Sequence, residues 1–372
     1  MLPDFCAAVS ASDSCKTKVI GFCDESESSG FAEGGEISQT AIGASAAWWP
    51  LGLRQKEVAS SLGSADGFHI HGLWEEHGLV TSRIARSLRK PYLVSAHGML
   101  EPWALKTRRL KKAIYASLVE RRNITDADCL HALTVAEAEA YRRFGAKNPI
   151  AVIPNGVCVP TGVTPDDFLS AFPNLREKRL VLFLGRLHYK KGLDILVNAW
   201  KQADPDPDTH MVIAGPDFEN TQSSIERQVG ELNLERQVTF CGMLSGSMKW
   251  SALAACTIFV LPSHSEGLSV SILEAMGMNK PVIVTRQCNM PEVLIHEAGW
   301  VIEPDPDQLA SALRDVFRLA GAEVDRIGRN GGALVAHRFN WPAIGTQMRS
   351  IYQWLLGGPK PTEVDLLFYE KR

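Results

Sequence analysis

Several things are missing from this 372-residue sequence, and each absence excludes a class of protein. No run approaches the eighteen or so apolar residues that a membrane-crossing helix needs. Residues 1–10 lack the basic start and apolar core of a secretory signal. Neither sign of charge dominates: 39 Lys and Arg stand against 42 Asp and Glu, so no global field favours nucleic acid or another polyanion. The eight cysteines (6, 15, 23, 129, 158, 241, 256, 288) are scattered, with no C-x-x-C and no Cys/His cluster at ligand spacing. That pattern argues against a structural zinc site and fits a reducing cytosol, with Cys241 and Cys256 as small residues beside apolar segments. No G-x-G-x-x-G follows an apolar strand, which disfavours a nicotinamide oxidoreductase. There is no internal repeat or low-complexity block.

What is present is alternation. Short apolar runs separated by helical stretches recur throughout, the signature of parallel sheets covered on both faces. In the first half, 18–23, 67–70, 92–95, 129–133 and 151–153 read as strands, with helices at 78–88 and 135–144 among the intervening segments. Residues 157–177 contain three prolines and no clear period, so they read as linker and domain entry. In the second half the strands are 180–184, 210–214, 238–240, 258–261, 282–285 and 299–302, and helices are expected at 193–202, 307–319 and 323–338. An amphipathic helix at 343–356 closes the pattern. The length suffices for two domains.

The chemistry concentrates at two strand-to-helix junctions. Glu266-Gly-Leu-Ser-Val-Ser-Ile-Leu-Glu274 follows the strand 258–261, which ends at Pro262. Glu266 thus sits at the carboxyl end of a strand, and Glu274 about one turn into the helix that starts at Val270. Ligands of doubly wound sheets bind at that edge. Carboxylates there accept hydrogen bonds from paired hydroxyls, while the free N–H groups of the helix start attract phosphate. The second junction is Leu-Gly185-Arg-Leu-His-Tyr-Lys-Lys191-Gly, where Arg186 and Lys191 flank a turn after the strand 180–184. Arg supplies a planar fork and Lys a compact charge, a pair able to hold a departing diphosphate. No D-x-D stands at the carboxyl end of a strand: Asp204-Pro-Asp206-Pro-Asp208 and Asp305-Pro-Asp307 are Pro-broken turns, and Asp126-Ala-Asp128 enters a strand at the wrong end. No metal is therefore expected.

Arg186-x4-Lys191-Gly192, followed about eighty residues on by Glu266-x7-Glu274, resembles the retaining glycosyltransferases of family 4, built on the GT-B fold. Supporting matches are His69-Ile-His-Gly-Leu-Trp74, Ser95-Ala-His-Gly98, Ile153-Pro-Asn-Gly156, Val238-Thr-Phe-Cys-Gly242 and Pro281-Val-Ile-Val284, so the likeness runs over roughly residues 65–357. The resemblance implies two Rossmann-like doubly wound parallel-sheet domains facing a cleft: an acceptor-side domain at 1–157, a nucleotide-sugar donor domain at 158–340, and a last helix, 341–357, crossing back onto the first. It implies a nucleoside diphosphate sugar as substrate, transfer with retention, and no cofactor. Glu274 would hold the ribose hydroxyls, Glu266 the donor-sugar hydroxyls, and Arg186 with Lys191 the diphosphate. Gly185, Gly242, Met243, Leu244, Gly267, Leu268 and Ser269 would line the donor pocket, with backbone near Gly242 meeting the base edge. His97 would stand against the transferred sugar. His71 and Trp74 fall on the acceptor side, and Trp74 and Trp103 are equally readable as core packing.

The beginning of the chain departs from that family. Residues 1–10 look like the helix that normally follows a Gly-rich loop, and 18–23 like the second strand, so the N-terminal domain lacks its first strand. Gly34-Gly35 is no substitute, because polar residues precede it. Such a first strand is central, and its loss would leave two strands without a neighbour. A start placed too late, a truncated chain of low activity and a genuine variant all fit. A non-catalytic sugar-nucleotide-binding partner is accordingly the alternative to an enzyme. Residues 103–122 hold seven basic residues and one acidic on an amphipathic pattern, readable as a solvated face or as a contact with an anionic membrane. Through the family, the latter fits a saccharide or lipid-linked acceptor in surface polysaccharide assembly, at the inner face of the cell membrane.

Overall fold

The computed structural model describes residues 2–12, 15–23, 38–43, 63–102, 105 and 115–370. The chain divides into two compact units, Met1–Gly156 with Trp341–Arg372, and Val157–Asn340.

The first unit holds α1 (Leu2–Ser10), β1 (Lys18–Cys23), β2 (Ser38–Gly43), β3 (Phe68–His71), α2 (Glu76–Leu88), β4 (Tyr92–Ser95), β5 (Cys129–Ala132), α3 (Val135–Phe144) and β6 (Ile150–Val152). β3, β4, β5 and β6 lie side by side in parallel, and a short strand Asp365–Leu367 adds to β6 antiparallel. β4 and β5 are buried at every position, as expected of parallel strands covered on both faces. β1 does have a neighbour, contrary to expectation: it pairs in parallel with β2, whose polar Ser-Gln-Thr start hides it from a hydrophobicity reading. β3 is paired on one side only, with β4, among the described residues. Gly34-Gly35 and most of 103–122 lie outside the described residues. The helix Trp341–Leu355 packs on α1, so closely at Gly345 that a Cβ would meet the Ala8 carbonyl oxygen at 2.3 Å.

The second unit carries β7 (Arg179–Leu184), β8 (Thr209–Ala214), β9 (Val238–Gly242), β10 (Ile258–Leu261), β11 (Val282–Thr285) and β12 (Gly299–Ile302). All six are parallel, in the order β12-β11-β10-β7-β8-β9. The order runs outward one way from β7 and the other way from β10, so the topological switch point lies between those two strands. Ligands of open α/β sheets bind beyond the carboxyl ends of the strands at such a point. The longer helices are α4 (Asp166–Ala171), α5 (Leu193–Ala203), α6 (Thr221–Glu231), α7 (Gly246–Ala255), α8 (Val270–Gly277), α9 (Pro306–Arg318) and α10 (Gly321–Arg338). The apolar stripe of α5, including the fully buried Trp200, explains why residues after Gly192 turn helical.

The segment 157–177, expected as linker and domain entry, also holds a helix that was not expected. α4 and a 3-10 turn, Pro173–Leu175, fold into the unit, burying Phe168 and Leu175, while the Ser251 hydroxyl oxygen accepts the Phe168 N–H at 2.9 Å. Two anchoring side chains suffice for a six-residue helix, too short to show a period.

Candidate functional site

In the second unit, the loops after β7 and β10 meet because the strands are neighbours. Gly192 makes the meeting possible. It has φ 67°, and a Cβ there would lie 2.1 Å from the Pro262 carbonyl oxygen. Nearby, the His264 N–H donates to the Lys190 carbonyl at 2.8 Å. The consequence is a contact across 75 residues of sequence: Lys191 Nζ donates to Glu266 Oε1 at 2.5 Å. The Ser263 hydroxyl donates to the same oxygen at 2.6 Å, and the Glu266 backbone is fixed by its N–H to Gln287 O at 2.9 Å. Glu266 is 8% exposed, so its charge is compensated in place. Its other oxygen, Oε2, has no partner among the described residues.

Glu274 lies in α8 at 9% exposure, and its Oε1 accepts from Lys249 Nζ at 2.6 Å. Lys249 also sits 4.6 Å from the Trp250 ring centre. Sequence reading missed this lysine. A Lys on α7 looks like any surface charge, and a contact 25 residues apart leaves no local pattern. Arg186, expected to work beside Lys191, is exposed and lies over the Phe218 ring at 5.7 Å. The guanidinium thus rests on an aromatic face of the adjoining loop, as cation–π geometry favours. Gly185 and Gly215 stand at neighbouring strand ends, where a Cβ on Gly215 would meet the Gly185 carbonyl at 1.8 Å. Gly242 and Met243, at the end of β9, are exposed and Leu244 half-buried. Gly267 and Leu268 are half-buried ahead of α8, whose N-cap Ser269 makes no side-chain cap and leaves the helix N–H groups available. Glu292 opens a four-residue helix and pairs with Arg338 at 3.1 Å.

The first unit's carboxyl edge is built differently, from imidazoles. The register His71↔Ser95 between β3 and β4 brings His71 Nδ1 to 2.9 Å from His97 Nε2, with the rings stacked. His97 Nδ1 is buried and has no partner among the described residues. His69 reaches Tyr352 Oη at 2.7 Å and Ser95 Oγ at 2.6 Å, and Ser95 Oγ lies 2.6 Å from His131 Nδ1. Burial, and then the neighbouring histidines, hold His69 and His71 well below the ordinary value; burial lowers His97 too, and His131 falls to about 4. At neutral pH the cluster is therefore uncharged, able to donate and accept toward hydroxyls. Trp74 is more packing than platform: its ring meets Phe144 edge-on, and its indole N–H points at the Met99 carbonyl at 3.4 Å. No three His, Cys, Asp or Glu side chains gather as metal ligands among the described residues.

Comparison with known proteins fits both units. A family model for glycosyl transferases group 1 matches residues 166–332, and one for a glycosyl transferase 4-like domain matches residues 40–156. The structure of sucrose-phosphate synthase from Thermosynechococcus elongatus superposes with a TM-score of 0.78 at 21% identity, covering 96% of this chain and 92% of that one. The fold is GT-B, and residues 166–332 are similar to the group 1 glycosyl transferases. Anabaena HepE, solved with UDP-glucose, shares this fold with a TM-score of 0.71 at 21% identity, covering 91% of this chain and 99% of HepE. In sequence, the D-inositol 3-phosphate glycosyltransferase of Mycolicibacterium gilvum is 30% identical over 235 residues, 60% of this chain and 51% of that protein. The chain spans about half the length of the first curated relatives it matches.

Proposed function

We propose that this protein transfers a hexose from a nucleoside diphosphate sugar, with retention, to a saccharide or lipid-linked saccharide. The observation that carries the reading is the Lys191–Glu266 contact at the switch point, where a cation and a carboxylate of one GT-B donor domain occupy the same few ångströms. Glu266 Oε2 accepts donor-sugar hydroxyls. Glu274, held by Lys249, accepts the ribose hydroxyls. Lys191, joined by Arg186 as it swings off Phe218, stabilises charge building on the departing diphosphate, which lowers the barrier only if the interaction strengthens in the transition state. The uncapped start of α8 adds partial positive charge for the same group. Gly185, Gly242, Met243, Leu244, Gly267, Leu268 and Ser269 shape the donor pocket, and the unpartnered Nδ1 of His97 meets a hydroxyl of the transferred sugar. His71 and Trp74 belong to the acceptor side.

HepE, of the same fold, was solved with UDP-glucose, which supports a nucleotide-sugar donor, and a relative described as a D-inositol 3-phosphate glycosyltransferase supports glycosyl transfer. A cytoplasmic protein meeting lipid-linked acceptors at the membrane, in surface polysaccharide assembly and without a metal, completes the proposal. Turnover of Glu266→Ala and Arg186→Ala against the parent tests it: both should lose most activity while still binding nucleoside diphosphate. A parent that binds nucleotide and never turns over across a panel of donors and acceptors would instead make this a sugar-nucleotide-binding partner.

A further inference from the structure

We propose that Glu137 is the positioning residue of the His97 turn, its buried carboxylate gripping the backbone that aims the imidazole. The inference rests on the reading of His97 as a sugar contact. His97 and Gly98 have φ of 51° and 77°, two left-handed residues in succession. A histidine there is strained and stays so only where its surroundings over-determine the backbone. α3 provides that determination. The Gly98 N–H donates to Glu137 Oε1 at 2.6 Å and the Leu133 N–H to Glu137 Oε2 at 2.6 Å. One turn further along, the Tyr141 hydroxyl oxygen accepts the Ala96 N–H at 2.7 Å. His97 thus sits between two backbone positions clamped by one helix.

The sequence disguises this role. Thr134-Val-Ala-Glu137 reads as an N-terminal capping box, and Thr134 does accept the Glu137 N–H at 3.2 Å. A Glu serving only as a cap would turn back to the helix start. This one sends Oε2 back there, to the Leu133 N–H, but bridges with Oε1 to the strand-end turn of β4, and is 1% exposed. Among the described residues no cation pairs with it. Its charge is compensated by the two N–H groups and by the positive end of α3. Burial pushes its carboxyl up to about 7, the nearby Glu101 adding to the rise and the two N–H groups opposing it. Besides Glu101, the ionisable groups around it are Tyr141, on the same helix, and His97 and His131, which are neutral in that range.

The two oxygens hold the two N–H groups most strongly in the ionised form, because protonation turns one of them into a hydroxyl and removes the charge. Activity should therefore rise as pH climbs through about 7. Stability should move the opposite way. The folded carboxyl titrates near 7 against an ordinary 4.5, so the native state holds the extra proton between those values and loses relative stability as pH rises through them.

The test is the full chain with Glu137→Gln. Gln keeps the size but turns an amide N–H toward one of the two donors. The expected result is a kcat lower by about tenfold, a donor KM within about twofold, and loss of the parent's pH limb near neutrality. Thermal stability at pH 8 should be unchanged or higher, since a buried charge is gone. A readout free of turnover is the pair of His97 imidazole resonances in nitrogen-labelled protein: they should shift with the Glu137 titration in the parent and stay flat in Glu137→Gln. An unchanged kcat, a surviving pH limb, or flat His97 resonances in the parent would overturn the proposal. If His97→Ala retains full activity, the underlying reading of His97 fails instead, and the resonance experiment still decides whether Glu137 grips the turn.

Discussion

The two units end their parallel sheets in opposite chemistry. At the edge of Val157–Asn340, carboxylates are matched to lysines, Lys191 to Glu266 and Lys249 to Glu274. At the edge of the other unit the polar groups are imidazoles, held neutral by burial. A ligand carrying two phosphates needs fixed charge near it. A sugar ring carries only hydroxyls, and neutral donors and acceptors serve it at a smaller desolvation cost.

The largest effect that would break this contrast is removal of the charge at the switch point. Lys191→Ala should lower kcat by roughly 10²–10³, since it deletes the group proposed to meet developing charge and strands Glu266. Steady-state turnover measures it, and a kcat within a few-fold of the parent would put the diphosphate elsewhere. Next comes the loop meeting itself. Gly192→Ala forces a Cβ into the Pro262 carbonyl at a left-handed φ, and should cost on the order of 2–3 kcal/mol of stability. Thermal or urea unfolding checks it; a neutral substitution would mean the two loops are not held in register.

How far these features could be read beforehand differs by element. β10, β11, β12 and α3 stand where apolar runs and period placed them, because continuous β-branched stretches and a clear helical stripe leave little choice. The two strand-to-helix junctions were visible for the same reason. β2 was not, since its pairing with β1 is made by backbone and its residues are polar. The helix at 166–171 hid among prolines. Lys249 and Glu137 escaped because their roles come from tertiary packing: one resembles a surface charge, the other a helix cap. The histidine cluster was only half visible, as His69 and His71 share a face by strand alternation, but the register to Ser95 decides that His97 joins them.

Two smaller effects sharpen the comparison further. Lys249→Met should weaken nucleoside diphosphate binding by about tenfold while sparing kcat at saturation, because it releases a carboxylate assigned to ground-state contacts. Calorimetric titration measures it, and unchanged affinity would reduce Lys249 to a surface neighbour. Smallest is a stability effect at the imidazole edge. His69, His71 and His131 titrate in the folded state below the ordinary 6.5, so the unfolded chain takes up protons first on acidification. Stability present above pH 6.5 should decline as pH falls toward about 4, visible, once Glu137→Gln removes the opposing carboxyl titration, as a melting temperature dropping by a few degrees between pH 7 and 5.5. A melting temperature flat over that interval would place those rings in a wetter setting.

The most direct measurement is calorimetric titration of UDP and GDP into the full chain and into Glu274→Ala. The account predicts saturable one-to-one binding of at least one nucleoside diphosphate, weakened at least about tenfold by the substitution. A folded protein that binds neither nucleotide, or binds one equally well without the Glu274 carboxylate, would contradict the placement of the donor at the edge of the second unit.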